Sequence, residues 1–115
     1  MLSKTKLNKI LKKVTQEVRV LLGDKLRSII LYGSYARGDA DAESDIDIMV
    51  LTDADGTELK TLEEAVWSLA WDIGMDNNIV ITAFVNNKDL FESRLHLSAY
   101  YRNVLNEGVK LYAVS

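Results

Sequence analysis

Residues 45–51 form an apolar segment in which the first and third positions are acidic, and this pattern constrains the fold more than any other in the chain. Apolar residues occupy every second position, and Asp45 and Asp47 fall between them. Successive side chains of a β-strand point to opposite faces of the sheet, so the pattern predicts a strand with both carboxylates on one face. Two ionised carboxylates on an otherwise apolar strand repel each other and lose hydration. The segment therefore predicts a strand whose two carboxylates mark either a solvated edge or a site for a cation.

The hydrophobic periodicity of the rest of the chain predicts an α+β domain. Helical spacing of apolar residues covers 3–22, 61–73 and most of 88–106 with an interruption near Ser98, and short apolar runs predict further strands at 26–32, 79–85 and 109–112. Thr61 and Glu64 suggest a capping box for the middle helix, and Gly74 suggests its end. The order α-β-β-α-β-α-α-β predicts a small mixed β-sheet packed with helices.

Length and composition restrict the chemistry that the chain can perform. Its 115 residues suit a single domain over 1–115. The chain has no cysteine and one histidine, His96, which excludes thiolate and multi-histidine metal centres. A bound metal would therefore be held by oxygen. No segment approaches the roughly 18 consecutive apolar residues of a membrane span, so we expect a cytoplasmic protein with no membrane partner.

The net charge of −3 conceals two regions of opposite sign. Residues 1–27 hold eight Lys or Arg against two acids, whereas residues 38–59 hold eight acids and no Lys or Arg. The lysines of the first helix could contact nucleic-acid phosphates, but a solvated helix face is the commoner reason for such a pattern. Nucleic acid is therefore not the expected partner. The acidic region needs a different explanation, because like charges repel unless they are solvated, screened or bound to a cation.

The segment between the first two predicted strands carries the candidate chemistry. Gly33 allows a tight turn and close approach to a ligand, and Ser34 supplies an N–H and a hydroxyl where a helical turn is expected to begin. Arg37, one turn later, can offer a planar set of donors to phosphate oxygens. With Asp45 and Asp47 holding Mg²⁺, which prefers oxygen ligands, the segment predicts a site for a magnesium-bound triphosphate.

Other motifs in the chain do not fit. A calcium-binding EF-hand loop starting at Asp39 would need Gly at position 44 and Glu at position 50, where the chain has Ser44 and Val50. The chain also lacks a Walker glycine-lysine motif and a dinucleotide-binding glycine triplet. Trp67 and Trp71, one helical turn apart, are interpreted as part of a buried face or a partner surface.

Residues 33–38 and 44–47, Gly-Ser-x-x-Arg-Gly and Ser-Asp-Ile-Asp, resemble the signature of the minimal nucleotidyltransferases of the DNA polymerase β-like superfamily. This resemblance implies the nucleotidyltransferase fold and transfer of a nucleoside monophosphate, AMP from ATP being expected, to a hydroxyl with release of pyrophosphate. It implies Mg²⁺ on Asp45 and Asp47, which would be the catalytic residues. It also implies a HEPN-domain protein as partner, for which such proteins act as antitoxins.

One departure from that family leaves two hypotheses open. The superfamily usually supplies a third carboxylate from a later strand, but residues 79–85 contain no acid and Thr82 is their only polar residue. The first hypothesis is an Mg²⁺-dependent nucleotidyltransferase that modifies a partner protein. The second is a catalytically weak binding module that holds or masks a HEPN-type partner. In both, the short chain implies that the acceptor site comes from a partner or from a second copy.

Overall fold

The computed structural model describes residues 2–114. Its elements, in chain order, are α1 (Lys4–Leu22), β1 (Leu26–Tyr32), α2 (Ser34–Arg37), β2 (Ile46–Thr52), α3 (Gly56–Asp76), β3 (Ile81–Asn87), α4 (Lys88–Ser93), α5 (Ala99–Glu107) and β4 (Val109–Ala113), with a 3₁₀ turn, Gly23–Lys25, between α1 and β1. Helix α1 begins where Ser3 Oγ accepts a hydrogen bond from the Lys6 N–H at 3.1 Å. Within residues 2–114, no helix is both long and apolar enough to cross a membrane.

The four strands form one mixed sheet in the order β3-β2-β1-β4. Strand β1 is antiparallel to β2 and to β4, whereas β2 and β3 are parallel. Because parallel neighbours need a crossover, the long helix α3 connects β2 to β3. The predicted α+β class with a small mixed sheet is confirmed.

Alternate residues of the strands pack on opposite faces of the sheet. On one face, the apolar side chains of β1, β2 and β3 pack against α1 and α3. On the other face, Ile30, Met49 and Leu51 pack with Phe91 of α4 and Val104 of α5. Asp47 belongs to the second set by its position in β2. Its carboxylate therefore lies on the face of the sheet that α5 covers.

Several element boundaries differ from the sequence-based predictions. Helix α3 begins at Gly56 rather than at residue 61, so the capping box predicted from Thr61 and Glu64 is wrong. The Thr61 hydroxyl instead donates to the Thr57 carbonyl at 3.1 Å, as a residue inside a helix does. Strand β2 begins at Ile46, one residue after Asp45. The helical region after residue 88 is interrupted near Ser98, as expected, and Ser98 is the N-cap of α5.

Strand β3 starts two residues later than predicted, because α3 continues past Gly74 to Asp76 and ends in a longer turn. In this turn the Ile79 N–H donates to the Gly74 carbonyl at 3.0 Å. Asn78 adopts a left-handed conformation with φ 55°. Residues 77–80 are therefore used to reverse the chain direction.

Trp67 and Trp71 of α3 are each 45% exposed, so neither is a core residue.

Candidate functional site

The chain turns sharply at Gly33, between the end of β1 and the short helix α2. Gly33 has φ 76° and ψ −157°, a conformation that is almost restricted to glycine. Its carbonyl accepts hydrogen bonds from the Ala36 and Arg37 N–H groups at 3.1 and 3.0 Å. The turn ends at Gly38, where φ is 84°. Ser34 and Arg37 thus lie on one helical turn immediately after the strand, as the sequence predicted.

The Asp47 carboxylate lies directly against this turn. The antiparallel register of β1 and β2 places Tyr32 opposite Asp47, so the carboxylate projects beside the next residue, Gly33. A Cβ atom at position 33 would collide with Asp47 Oδ2. Glycine is therefore required at position 33 for two reasons, the backbone conformation and the space taken by the carboxylate.

A cavity of about 330 Å³ opens at this point, between the ends of β1 and β2 and helix α5. It brings together four of the five residues that the sequence predicted, Gly33, Ser34, Arg37 and Asp47. Its other lining residues are Tyr32 at the end of β1 and four residues of α5, namely Tyr100, Asn103, Val104 and Glu107. None of these five residues was predicted from the sequence to belong to the site. The spacing 100, 103, 104 and 107 is that of residues on one face of a helix. This spacing is the sequence signal that could have grouped the four residues of α5.

Asp45, the fifth predicted residue, lies beside this cavity rather than in it. It is exposed, immediately before β2, and lines a neighbouring depression of about 290 Å³ with Met75 and Val80. Its charge nevertheless acts on Asp47. Burial, and next the negative charge of Asp45, raise the pKa of Asp47 above its ordinary value, while Arg37 opposes this rise.

Arg37 is oriented by two carboxylates. Its Nε donates to Asp39 Oδ2 at 3.2 Å, and its Nη1 lies 3.6 Å from Glu107 Oε2 on α5. Both pairs are solvent-exposed and therefore individually weak, which leaves the guanidinium free to change partners when a stronger anion arrives. Phosphate oxygens could therefore compete with Asp39 and Glu107 for the Arg37 guanidinium.

The oxygen ligands of the site fit a magnesium ion bound together with phosphates. Asp45 and Asp47 provide two carboxylates, and Mg²⁺ is typically held by one or two carboxylates with substrate phosphates and water. The raised pKa of Asp47 indicates a carboxylate whose charge is poorly compensated by the protein alone. Among residues 2–114, no three His, Asp or Glu side chains cluster to form a metal site by themselves.

The position next to Asp47 on β3 is occupied by a hydroxyl. The parallel register pairs Asp47 with Thr82, whose side chain lies on the same face. No residue of β3 (Ile81–Asn87) is acidic. The acid that the sequence lacks on this strand is therefore absent directly beside Asp47, where Thr82 stands.

Comparison with known proteins identifies relatives over nearly the whole chain. A family model described as a nucleotidyltransferase domain matches residues 7–111. A candidate protein adenylyltransferase of Methanocaldococcus jannaschii is 36% identical over 104 residues, covering 90% of this chain and 96% of that protein. A second from the same organism is 34% identical over 104 residues, covering 89% and 95%.

Solved structures share the same fold at lower sequence identity. A crystal structure of a toxin-antitoxin with AMP-PNP matches with a TM-score of 0.59 and 20% identity, covering 90% of this chain and 74% of that one. A complex of a tri-AMPylated Shewanella oneidensis HEPN toxin with an MNT antitoxin matches with a TM-score of 0.58 and 20% identity, covering 93% and 72%. These similarities establish the nucleotidyltransferase fold of the chain.

Substitution of the two turn glycines should compare a strained position in open space with one that also abuts the Asp47 carboxylate. Gly38→Ala should destabilise the protein by about 1 kcal/mol, because φ 84° is unfavourable for alanine but its Cβ meets open space. Gly33→Ala should cost more, up to about 3 kcal/mol, since its backbone conformation is almost restricted to glycine and the Asp47 carboxylate must also move. Urea unfolding of both variants measures the difference. Equal losses would contradict a role for the carboxylate contact.

The raised pKa of Asp47 predicts a pH-dependent gain in stability for Asp47→Asn. The unfolded chain ionises this carboxyl more readily than the folded protein, so stability falls as pH rises from the ordinary Asp value of about 3.9 through the raised pKa. Without divalent cations, Asp47→Asn should therefore be more stable than the wild type at pH 7, with a smaller advantage at lower pH. Thermal unfolding across pH checks this. Exposed Asp72→Asn is the control, expected within about 0.5 kcal/mol of the wild type.

Proposed function

The chain belongs to the nucleotidyltransferase domain family, and from this premise we propose that it transfers AMP from ATP to a hydroxyl on a partner protein and so acts as an antitoxin. The observation that carries this proposal is the cavity of about 330 Å³, hereafter the cleft, in which the Gly33 turn, Arg37 and Asp47 converge. Further support comes from relatives named for protein adenylyltransfer and from a fold neighbour bound to an AMPylated HEPN toxin. The reaction belongs in the cytoplasm, where ATP is available.

In this proposal the turn after β1 receives the triphosphate. Gly33 lets phosphate oxygens approach the backbone, and Ser34 offers its N–H and hydroxyl to them. Arg37 exchanges its exposed carboxylate partners for phosphate oxygens, which are stronger acceptors for a guanidinium. These groups hold the pyrophosphate portion as it leaves, so they stabilise charge that develops during transfer.

Asp45 and Asp47 are the residues that would hold Mg²⁺ in this site. When bound, the ion would supply Lewis-acid chemistry and neutralise phosphate charge. The protein contributes fixed carboxylate positions, because Asp47 is held in the β1–β2 ladder and confined by Gly33. Catalysis then rests on positioning and charge neutralisation, which is where phosphoryl transfer gains most of its rate.

The acceptor hydroxyl comes from outside the chain. The Asp45 depression is open on the surface next to the cleft, so a partner can reach the α-phosphate from that side. A HEPN-domain protein is the partner that the fold neighbours favour. A second copy of the chain is the alternative source of the hydroxyl.

The proposal predicts loss of adenylyl transfer when the metal-binding carboxylates are removed. Asp47→Asn should lower the rate of transfer of labelled AMP to the HEPN-domain partner at least about 100-fold, the scale expected for losing a charge-stabilising group. Asp45→Asn should lower it as well. Calorimetry with and without Mg²⁺ should show that wild-type ATP binding depends on the ion. Asp72→Asn is the matched control, and full transfer by Asp47→Asn would contradict the assigned roles.

A second candidate function, a binding module that masks the partner without modifying it, is favoured by Thr82 beside Asp47. A threonine hydroxyl is a poor general base, so the acceptor would be activated inefficiently. Thr82→Asp should raise the transfer rate if the wild type is an enzyme limited by this absence. A stable unlabelled complex with the partner, formed by the wild type and by Thr82→Asp alike, would favour the binding module.

A further inference from the structure

Helix α5 forms one long wall of the cleft, and the two ends of this wall differ in chemistry. Tyr100 and Glu107 are seven residues apart and both line the cavity. At 1.5 Å rise per residue they are separated by about 10 Å along the helix. This length exceeds that of a single phosphate group, so the wall can contact two different parts of an extended nucleotide.

The end of the wall at Glu107 is charged. Glu107 lies 3.6 Å from Arg37, and Arg37 belongs to the same helical turn as Ser34. The groups suited to phosphate oxygens are therefore grouped at this end. Asn103, one turn before Glu107, is exposed and also lines the cavity.

The end of the wall at Tyr100 is aromatic. The Tyr100 hydroxyl lies 3.1 Å from that of Tyr32, and the two rings meet edge to face with centroids 6.1 Å apart. On its other side Tyr100 contacts the Tyr101 ring, with centroids 5.3 Å apart. Its position is thus fixed by two neighbours, yet 45% of the residue remains exposed. A held and exposed aromatic ring is suited to stacking.

Asp47 lies between the two ends. It abuts Gly33 on the side of the phosphate-binding turn and pairs with Tyr32 in the β-ladder on the side of the aromatic end. The contacts therefore run from the Arg37–Glu107 pair, through the Gly33 turn and Asp47, to the Tyr32–Tyr100 pair. A nucleoside triphosphate has the corresponding order, with its α-phosphate joining the polyphosphate to the nucleoside.

We propose that Tyr100, held by Tyr32, forms the subsite for the nucleoside, with the base stacked on its ring and Asn103 hydrogen-bonding the nucleoside. This proposal rests on the proposed function, because it assumes that the polyphosphate occupies the Gly33 turn. It assigns α5 the recognition of the nucleoside and leaves the β1–α2 turn to bind phosphate.

Comparing magnesium ATP with magnesium tripolyphosphate tests the assignment, because the second ligand lacks the nucleoside. Tyr100→Ala should weaken ATP binding about 10-fold or more in calorimetry, the scale of a lost base–aromatic stack, and leave tripolyphosphate affinity unchanged. Tyr100→Phe keeps the ring and should bind ATP within about threefold of the wild type, since it loses only the hydroxyl contact. Asn103→Ala should also weaken ATP binding selectively.

Trp71→Ala is the matched control, because Trp71 is equally exposed but lies on α3 outside the cleft. It should change neither affinity. Equal weakening of both ligands by Tyr100→Ala, or no weakening of either, would overturn the nucleoside subsite. If the wild type binds neither ligand, the proposed function itself fails. Binding of tripolyphosphate as tightly as ATP would retain the phosphate site and reject the subsite.

Discussion

The close approach of the Asp47 carboxylate to the Gly33 backbone is the contact on which the rest of the site depends. It exists because β1 and β2 pair with Tyr32 opposite Asp47, and because position 33 has no Cβ. The same glycine allows the turn that places Ser34 and Arg37 at the cleft. One backbone position therefore both begins the turn that carries Ser34 and Arg37 and lies against the Asp47 carboxylate.

This arrangement places function and stability in opposition. The sheet holds Asp47 partly buried and near Asp45, and both effects disfavour its ionised form. Arg37 compensates only in part, because it is exposed and shared with Asp39 and Glu107. Carboxylates with a perturbed pKa are common at functional sites. Of the eight carboxylates in residues 38–59, only that of Asp47 belongs to a partly buried residue, and the other seven, including Asp45, lie on the surface.

The parts of the structure that could be predicted from sequence are those fixed by local patterns. The alternation around Asp47 and the glycine at 33 specify β2 and the turn, and adjacent strands bring them together. Tyr100 and Glu107 line the cavity because of the way α5 packs across the sheet, and local periodicity does not specify this packing. The start of α3 was not predicted because Gly56 and Thr57 are weak helix formers, and in the first turn of the helix only Leu59 packs against the core.

The register of β3 shows which residue stands where a third carboxylate would act. Thr82 is the neighbour of Asp47 on the adjacent strand, so a carboxylate on that strand would have to replace it to act beside Asp47. Without such a base, the acceptor hydroxyl must lose its proton to another group or to solvent. Asp45 is exposed and lines a separate depression, so solvent can reach the site from that side.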